Sequence, residues 1–146
     1  MQFEAPAAGD SRWLALRLRL WPDSEAQHLR YMADTIARRH FVRLAIAASG
    51  SAVGFVEASK RIDYVNGTNS SPVAFLEGLY VEPAARGNGV ARALVAAVEA
   101  WAVAEGCTEL ASDSPLENVA AHAVHRALGF VETERVVYFC RQLHGA

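Results

Sequence analysis

The segment from Val73 to Glu105 constrains the fold of this chain more than any other part of the sequence. Residues 73–82 form the apolar run of a buried strand, and Pro83 to Gly89 is a glycine-bearing turn. Val90 to Glu105 then repeats apolar residues at helical spacing. A buried strand that leads through a short turn into a helix is typical of α/β proteins, so we expect a sheet covered by helices.

The rest of the chain adds helices and strands on both sides of this segment. The apolar period changes from that of a helix to two at about Val42. Three more helices are predicted: one from Arg12 to Leu20 behind the N-cap pair Asp10-Ser11, one opened by the capping box Ser24/Gln27, and one opened by the capping box Ser114/Glu117 and running to Leu128. Strands are predicted at 42–48, 52–62 and 108–113, with a final strand or hairpin arm from Val131 to Gln142. The order ααβββαβαβ describes a mixed α/β sheet with crossover helices in one domain, residues 1–146.

Length and composition exclude several other classes of protein. A chain of 146 residues, 52% of them hydrophobic, can bury a core without a metal ion or a disulfide. Cys107 and Cys140 have no metal-ligand spacing, and residues 1–10 lack the basic and apolar regions of a secretory signal. No apolar run approaches the roughly 18–20 residues that span a membrane. We therefore expect a cytoplasmic protein with no metal ion and no membrane attachment.

Charges are unevenly distributed along the chain. The net charge is −2, and the arginines of the first half are more typical of solvated helix faces than of a nucleic-acid site. Residues 99–134 contain seven acidic residues and only Arg126 as a basic one. A cleft lined by this part of the chain would attract a cation. Ordinary solvated faces are the alternative, which we favour for Glu99, Glu105 and Glu109.

The glycine-bearing turn has the features of a phosphate-binding site. Backbone N–H groups at the start of a helix lack intrahelical partners, and the helix dipole is positive there, which suits a pyrophosphate. Gly87 and Gly89 would allow a close backbone approach, and Arg86 and Arg92 would add cationic donors. A plain strand–helix connection is the alternative. The turn lacks both the Gly-Lys-Ser/Thr of the Walker pattern and the acidic partner of a dinucleotide-binding unit.

Two signatures, one at this turn and one nearer the C-terminus, match a known superfamily. The first is Arg86-x-x-Gly89-x-Ala91, and the second is Asn118-x-x-Ala121-x-x-x-His125-x-x-x-Gly129-Phe130. They lie in the expected order, roughly 30 residues apart. The pair resembles the signatures of the GCN5-related N-acetyltransferases. The resemblance implies the GNAT fold, a mixed, mostly antiparallel central sheet with crossover helices and a gap between its splayed fourth and fifth strands.

The resemblance also implies acetyl-CoA as the co-substrate and assigns residues to it. In the family, a bulge splays the fourth strand and pantetheine enters the gap, and Gly78 is the plausible bulge residue here. Backbone groups of Leu79 and Val81 would bond pantetheine, and the N–H of Leu79 would polarise the thioester carbonyl. The implied coenzyme-binding residues are Leu79, Tyr80, Val81, Arg86, Gly87, Asn88, Gly89, Val90, Ala91, Arg92 and Asn118.

His125 departs from the family pattern. The usual residue at this place in the second signature is a tyrosine that protonates the departing thiolate. His125 is a candidate for the same role. The alternative is a packed helix residue, with solvent as the proton source.

Longer stretches between positions 20 and 139 match one subgroup of the superfamily. They are Leu20-Trp21-Pro22-Asp23-Ser24-Glu25-Ala26, Tyr64-Val65-Asn66-Gly67-Thr68, Ser71-Pro72-Val73, Phe75-Leu76-Glu77-Gly78, Ala111-Ser112-Asp113, Phe130-Val131-Glu132-Thr133-Glu134 and Val137-Tyr138-Phe139. These stretches resemble the aminoglycoside 6′-N-acetyltransferases, which implies a polycationic aminoglycoside as acceptor. Such a sugar needs carboxylates and an aromatic surface. The implied substrate-binding residues are Trp21, Tyr64, Glu77, Asp113 and Glu134.

Each of these residues has a structural alternative. Trp21 could only cover the core, and Tyr64 could anchor its loop. Glu134 could be a solvated residue of the last strand. Asp113 could cap the helix that follows it, although capping does not exclude a catalytic role.

The implied chemistry is direct transfer of the acetyl group within a ternary complex. Asp113 is the first candidate base, and Glu77 is the second. Glu77 precedes Leu79 by two residues, so the two side chains should share a strand face beside the acceptor. The alternatives are acetylation of another amine, such as a polyamine or a protein N-terminus, and a non-catalytic coenzyme A-binding module. The resemblance also implies a homodimer, in which residues 136–139 would supply an apolar interface strand.

Overall fold

The computed structural model describes residues 1–145, which divide into two compact units. Residues 1–112 make up the first unit, and the chain from Asp113 onward makes up the second. The single domain expected over residues 1–146 stays a prediction. None of the described helices is both long and apolar enough to cross a membrane.

The first unit is built around a five-stranded sheet. Its elements are β1 (Gln2–Glu4), α1 (Ser11–Leu20), α2 (Glu25–Ala37), β2 (Phe41–Ile46), β3 (Ala52–Arg61), β4 (Val73–Val81), a short 3-10 helix (Pro83–Ala85), α3 (Val90–Ala104) and β5 (Leu110–Ala111). The strands lie in the order β1-β2-β3-β4-β5, and all neighbours are antiparallel except the parallel pair β4 and β5, which α3 connects. The predicted mixed, mostly antiparallel sheet with a crossover helix is confirmed.

Helices cover both faces of this sheet. On one face, Trp13 of α1 and Met32 of α2 pack in the same buried cluster as Phe55 of β3. On the other face, Ala102 of α3 packs with Ala74 of β4. β2, β3 and β4 are covered on both sides, so buried residues follow one another along these strands and do not alternate with exposed ones as a period of two predicts.

Both predicted N-caps of the first two helices are confirmed. The carboxylate of Asp10 accepts a hydrogen bond from the backbone N–H of Arg12 at 2.9 Å, at the start of α1. The hydroxyl of Ser24 accepts one from the backbone N–H of Gln27 at 3.2 Å, at the start of α2. Trp21 is extended between the two helices, with φ −123° and ψ 135°, as the residue before a proline should be.

The second unit contains one helix, α4 (Val119–Ala127), which begins later than predicted. The side-chain oxygen of Asn118 accepts a hydrogen bond from the backbone N–H of Ala121 at 3.0 Å. The predicted capping box between Ser114 and Glu117 is therefore wrong, because the side chain of Asn118 caps the first turn instead.

The strand predictions near the two termini are also wrong. Residues 131–145, which include the predicted strand 131–142, belong to neither a helix nor a strand. An extended segment becomes a strand only by pairing its backbone groups with a neighbour, and an apolar pattern does not supply that neighbour. The strand expected at 108–113 is reduced to β5. β1 is not among the predicted elements, because three residues are too few for a periodic signal.

Candidate functional site

A β-bulge interrupts the pairing of β3 with β4. Ala58 pairs with Leu76, whereas the preceding Glu57 pairs with Gly78, so Glu77 is an extra residue in β4. Glu77 and Gly78 together lie opposite Glu57, so the bulge expected at Gly78 is confirmed, with Glu77 as the inserted residue. The insertion bends β4 at the middle of its length.

Only the beginning of β4 is paired with β5. The parallel register joins Ala74 to Leu110 and Phe75 to Ala111, and it ends before the bulge. Within residues 1–145, the part of β4 from Leu76 to Val81 has no strand partner on this edge. This open edge therefore offers backbone N–H and C=O groups to a ligand that lies along the strand.

The backbone groups of Leu79 and Val81 point toward the open edge. The N–H of Glu82 donates to the carbonyl of Val53 at 2.8 Å, which identifies one hydrogen-bonded pair. Hydrogen-bonded and non-hydrogen-bonded pairs alternate in an antiparallel ladder. The backbone N–H and C=O of Tyr80 therefore bond to β3, whereas those of Leu79 and Val81 face away from β3. The ring of Tyr80 packs against the core under α1 and α2. The structure therefore does not bring Tyr80 to the edge where its predicted coenzyme contact would be.

The turn after β4 contains two glycines with left-handed backbone. Gly87 and Gly89 have φ of 80° and 77°, a region that favours glycine. Gly89 is the N-cap residue of α3, where no side chain supplies a capping hydrogen bond and no acidic residue lies in the first turn. The first N–H groups of α3 and the positive end of its dipole can therefore receive an anion.

The side chains beside this turn do not all point outward. Arg86 donates its Nε–H to the carbonyl of Val81 at 2.9 Å, so part of its guanidinium holds the end of β4. The Asn88 side-chain amide donates to the carbonyl of Ala85 at 3.3 Å and shapes the turn. Residues 90–92 form the first turn of α3.

Glu77 and Leu79 lie on opposite faces of β4, so the expectation that they share a face is wrong. Glu77 Oε1 accepts hydrogen bonds from the hydroxyl of Ser59 at 2.6 Å and from Arg61 at 2.9 Å, on the face covered by α1 and α2. Leu79 pairs with Val56, and both side chains lie on the face covered by α3. The bulge is the reason, because one inserted residue reverses the alternation of side chains.

The carboxylate of Glu77 already has a positive partner. Arg61 forms an ion pair with it at 2.9 Å, and the guanidinium carbon of Arg61 lies 3.6 Å from the ring centroid of Phe75. Both charged side chains are partly exposed, so this pair is weak and open to exchange with another cation. The geometry thus makes Glu77 a cation-binding carboxylate.

Trp21 packs directly on the bulge. A Cβ atom at residue 78 would lie 2.4 Å from Cη2 of Trp21, so only glycine fits under the ring in this arrangement. The ring also meets Phe55 edge to face, with centroids 6.0 Å apart. Trp21 is half-buried. It therefore covers part of the core, and it also lies beside the bulge that carries Glu77, so the core role and the site role are compatible.

Tyr64 lies in the loop 62–72, and 73% of its surface is exposed. The carboxylate of Glu109 accepts hydrogen bonds from the hydroxyl of Ser70 and from the backbone N–H of Asn69, the latter at 2.8 Å. The Ser70 hydroxyl, and then the Asn69 N–H, lower the pKa of the Glu109 carboxyl. Glu109 is therefore more than a solvated side chain, because it holds the loop that carries Tyr64.

The second unit carries the remaining predicted site residues. Asp113 and Glu134 are exposed, and Asn118 uses its side-chain oxygen to cap α4. Glu134 is not part of a strand, so its expected position on a last strand is wrong.

The side chain of His125 contacts its own helix and Phe130 within the second unit. Its Nδ1 lies 2.7 Å from the carbonyl of Ala121, and its ring meets Phe130 edge to face at 5.3 Å. Because a carbonyl only accepts, Nδ1 carries a proton, and Nε2 can donate a proton only in the imidazolium form. The N–H groups of Gly129 and Phe130 bond to the carbonyls of Arg126 and His125, a Schellman cap that accounts for the end of the second signature.

The buried polar residues behind the bulge do not follow from the sequence patterns, and the solvated helix face expected for the arginines of the first half is wrong for Arg17. Arg17 of α1, His28 of α2 and Glu57 of β3 are all buried. A charged residue within an apolar pattern is the signal that could have identified them, since Arg17 shares a buried helix face with Trp13 and Leu16. The described residues contain no cluster of histidine, cysteine and carboxylate side chains that could hold a metal ion.

The open edge of β4 and the glycine-led start of α3 agree with one family. The model of the Acetyltransferase (GNAT) family matches residues 11–130. The chain belongs to this family, and the resemblance carried by the two signatures is confirmed.

Several relatives of this chain are aminoglycoside acetyltransferases. Aminoglycoside N(6')-acetyltransferase type 1 of Stenotrophomonas maltophilia is 56% identical over 137 residues, which cover 93% of this chain and 89% of that protein. The crystal structure of aminoglycoside antibiotic 6'-N-acetyltransferase from Acinetobacter haemolyticus has a TM-score of 0.93 and 49% identity, covering 99% of this chain and 100% of that one. An aminoglycoside N-acetyltransferase in complex with the bisubstrate analogue CoA-S-monomethyl-acetylneamine has a TM-score of 0.84 and 46% identity, covering 90% of each chain.

Proposed function

We propose that this chain is a cytoplasmic acyltransferase that transfers the acetyl group of acetyl-CoA to the 6'-amino group of aminoglycoside antibiotics and thereby confers resistance. The observation that carries the proposal is the open edge of β4, which the turn at residues 82–89 joins to the start of α3. That start has no side-chain cap, and the chain is 56% identical to an aminoglycoside N(6')-acetyltransferase.

The coenzyme would be held mainly by backbone groups. Leu79 and Val81 would bond the pantetheine arm along the open edge, and the N–H of Leu79 would polarise the thioester carbonyl. The turn at residues 86–92 would hold the pyrophosphate with its N–H groups and with the remaining N–H donors of Arg86. Asn118 caps α4 through its oxygen, so its amide N–H groups would bond the coenzyme arm.

The aminoglycoside would be held mainly by side chains. Trp21 and Tyr64 would present aromatic surfaces to the sugar rings. Glu77 would bind an ammonium group in place of Arg61, and Asp113 and Glu134 would bind others. The exposure of Asp113 and Glu134 supports this assignment, since exposed carboxylates attract a polycation.

The reaction requires an uncharged amine and a thioester carbon held close together. Asp113 would accept the proton of the ammonium group, directly or through a water, and Glu77 is the second candidate. The amine nitrogen then bonds to the acetyl carbon and loses its second proton, the carbon–sulfur bond breaks, and the thiolate takes up a proton to leave as the coenzyme A thiol. A carboxylate is a weak base for an amine, so much of the rate would come from the placement of the two reactants.

Protonation of the thiolate has two candidate sources. His125 would supply the proton from Nε2 in its imidazolium form, because Nδ1 is committed to the carbonyl of Ala121. Solvent is the other source. A His125→Gln variant with unchanged turnover between pH 6 and pH 8 would assign the proton to solvent.

A thiol-release assay across a panel of amines tests the proposed function. Kanamycin should release coenzyme A rapidly, while spermidine, a peptide with a free N-terminus and an aminoglycoside with a 6'-hydroxyl group should not. Preference for spermidine or the peptide would replace the proposed acceptor. Coenzyme binding without thiol release on any amine would instead indicate a non-catalytic coenzyme A-binding module.

We also propose that two copies of the chain form a homodimer through residues 136–139. Tyr138 and Phe139 are 83% and 92% exposed, a high exposure for neighbouring aromatic residues in a segment without a strand partner. Sedimentation equilibrium should give a dimer for the wild type and a monomer for Phe139→Asp. Val103→Asp is the matched control, because Val103 is an exposed apolar residue on α3. A monomeric wild type would refute the proposal.

A further inference from the structure

Three polar side chains that belong to neither signature are buried behind the bulge of β4. Arg17 and Glu57 are each 4% exposed, and His28 is fully buried. Glu57 Oε2 accepts a short hydrogen bond from Arg17 and another from the indole N–H of Trp13 at 2.9 Å. On β3, Glu57 is the residue paired with Gly78 of the bulge.

The hydrogen bonds of His28 define its tautomer. Arg17 donates its Nε–H to Nδ1 of His28 at 3.1 Å, so Nδ1 accepts and carries no proton. The proton therefore lies on Nε2, which donates to the backbone carbonyl of Trp21 at 3.2 Å. The network thus consists of a cation, an anion and a neutral imidazole, and it connects the sheet to the backbone of Trp21.

The same network also contacts the ring of Trp21. The guanidinium carbon of Arg17 lies 4.6 Å from the ring centroid, within the range of a cation–π contact. The ring of His28 stacks on it at 6.5 Å with an interplanar angle of 25°. The far edge of the indole lies over Gly78, where a Cβ atom would be 2.4 Å away. Trp21 is therefore held at its carbonyl, at one ring face and at its ring edge.

Stability alone does not explain why these groups are buried. A buried Arg–Glu pair loses solvation that its attraction barely repays, and apolar residues of similar size are often equally stable or more so. Directional bonds and a planar guanidinium do provide something apolar residues cannot, which is a single orientation for the side chain they contact. Here that side chain is Trp21, whose ring lies over Gly78, the residue next to Leu79 in β4.

We propose that Arg17, His28 and Glu57 are positioning residues that fix the ring of Trp21 over Gly78. The fixed ring would in turn determine the position of the acceptor amine relative to the thioester. The inference rests on the proposed function, in which Trp21 lines the acceptor site and Leu79 polarises the thioester. A misplacement of about 1 Å in such a site can cost on the order of 100-fold in rate.

The test is a double variant, Arg17→Met with Glu57→Gln, which removes both buried charges together. The glutamine oxygen still accepts from Trp13, so no buried charge is left without a partner. Arg12→Met is the matched control, because Arg12 lies on the same helix and also forms ion pairs with carboxylates. The cation–π contacts with Trp13 and Trp21 are made by Arg17. The readouts are the melting temperature, the Kd of acetyl-CoA, kcat/KM for kanamycin and the indole N–H resonance of Trp21, assigned with Trp21→Phe.

The double variant should fold and bind acetyl-CoA as the wild type does, with kcat/KM for kanamycin lower by up to about 100-fold and a shifted or broadened Trp21 indole resonance. The single variant Arg17→Lys should also have a lower kcat/KM than the wild type, because an ammonium group keeps the charge of Arg17 but lacks its planar guanidinium. Unchanged kcat/KM and an unchanged indole resonance in the double variant would overturn the inference.

A second variant decides the matter if the double variant does not fold. Gly78→Ala displaces the Trp21 ring from its place over residue 78 while keeping Arg17, His28 and Glu57 in the chain, and it should lower kcat/KM for kanamycin without weakening acetyl-CoA binding. Unchanged kcat/KM in Gly78→Ala would refute the inference. If the wild type acetylates no aminoglycoside, the proposed function fails, and the indole resonance still reports whether the network positions Trp21.

Discussion

The coenzyme side and the acceptor side of the candidate site are built from different parts of the polypeptide. In the proposed function the coenzyme side would consist of the open edge of β4, the turn with Gly87 and Gly89, and the first N–H groups of α3. The proposed acceptor side would consist of side chains, and one of them, Glu77, already has a cationic partner. Changes in backbone conformation should therefore affect the coenzyme, whereas changes of side chain should affect the acceptor.

The largest effect expected from this division comes from Asp113→Ala. Removal of the proposed base should lower kcat by about 100-fold or more, because general-base catalysis contributes at least that much. The Kd of acetyl-CoA, measured by calorimetry, should not change. Glu99→Ala is the control, since Glu99 is an exposed carboxylate on α3. Equal turnover of Asp113→Ala and the wild type would remove Asp113 from the mechanism.

Gly89→Ala should give the next largest effect, and on the other side of the site. A Cβ atom at residue 89 meets nothing within 4 Å, so its cost comes from the φ of 77°, about 1–2 kcal/mol. The KM for acetyl-CoA should rise about 10-fold if the turn relaxes away from this conformation, with KM for kanamycin unchanged. Gly50→Ala is the control, because Gly50 has a φ of 89° and the same open surroundings in the turn between β2 and β3. An equal rise in both variants would contradict a coenzyme role for Gly89.

The difference between the two sides also explains what the sequence could predict. The coenzyme turn was predictable because left-handed backbone at Gly87 and Gly89 requires a specific residue type. The face of Glu77 was not predictable, because it depends on which of the two bulge residues, Glu77 or Gly78, interrupts the alternation of side chains.

Contacts between different helices and strands were also not predictable from the sequence. The buried network of Arg17, His28 and Glu57 depends on contacts between α1, α2 and β3, which periodicity does not define. The apolar pattern of residues 131–142 predicts a strand, but the described chain supplies no partner for it. Periodicity gives the type of an element, whereas its pairing depends on the rest of the fold.

Glu109→Gln should have a smaller effect, confined to the acceptor. Loss of the carboxylate that holds Asn69 and Ser70 should loosen the loop of Tyr64 and raise the KM for kanamycin a few-fold, with KM for acetyl-CoA unchanged. The pKa of Glu109 is lowered in the folded protein, so the carboxylate binds fewer protons there than in the open loop. Its contribution is present above the ordinary pKa of a glutamate and is lost as the pH falls through the lowered value.

Amide hydrogen exchange at Asn69 measures this pH dependence. Exchange in the wild type, corrected for its intrinsic rate, should speed up on acidification through the lowered pKa of Glu109. Exchange in Glu109→Gln should show no such step. A step of the same size in both proteins would assign the loop contact to other groups.

The smallest effect is expected from Arg61→Ala. This variant frees Glu77 from its ion pair, so the KM for kanamycin should fall by no more than a few-fold, in line with at most about 1 kcal/mol for an exposed pair. Arg38→Ala is the control, because Arg38 forms a similar exposed ion pair with Asp34 on α2. A rise in KM would show that Arg61 supports the acceptor site and does not compete with the substrate.

A crystal structure of the chain with coenzyme A and kanamycin bound together tests the central claim most directly. The pyrophosphate should accept hydrogen bonds from backbone N–H groups between Gly87 and Arg92, the pantetheine should lie along the open edge of β4, and the 6'-amine should face the sulfur near Leu79. A pyrophosphate bound away from this turn, or an aminoglycoside bound away from Trp21 and Glu77, would contradict the account.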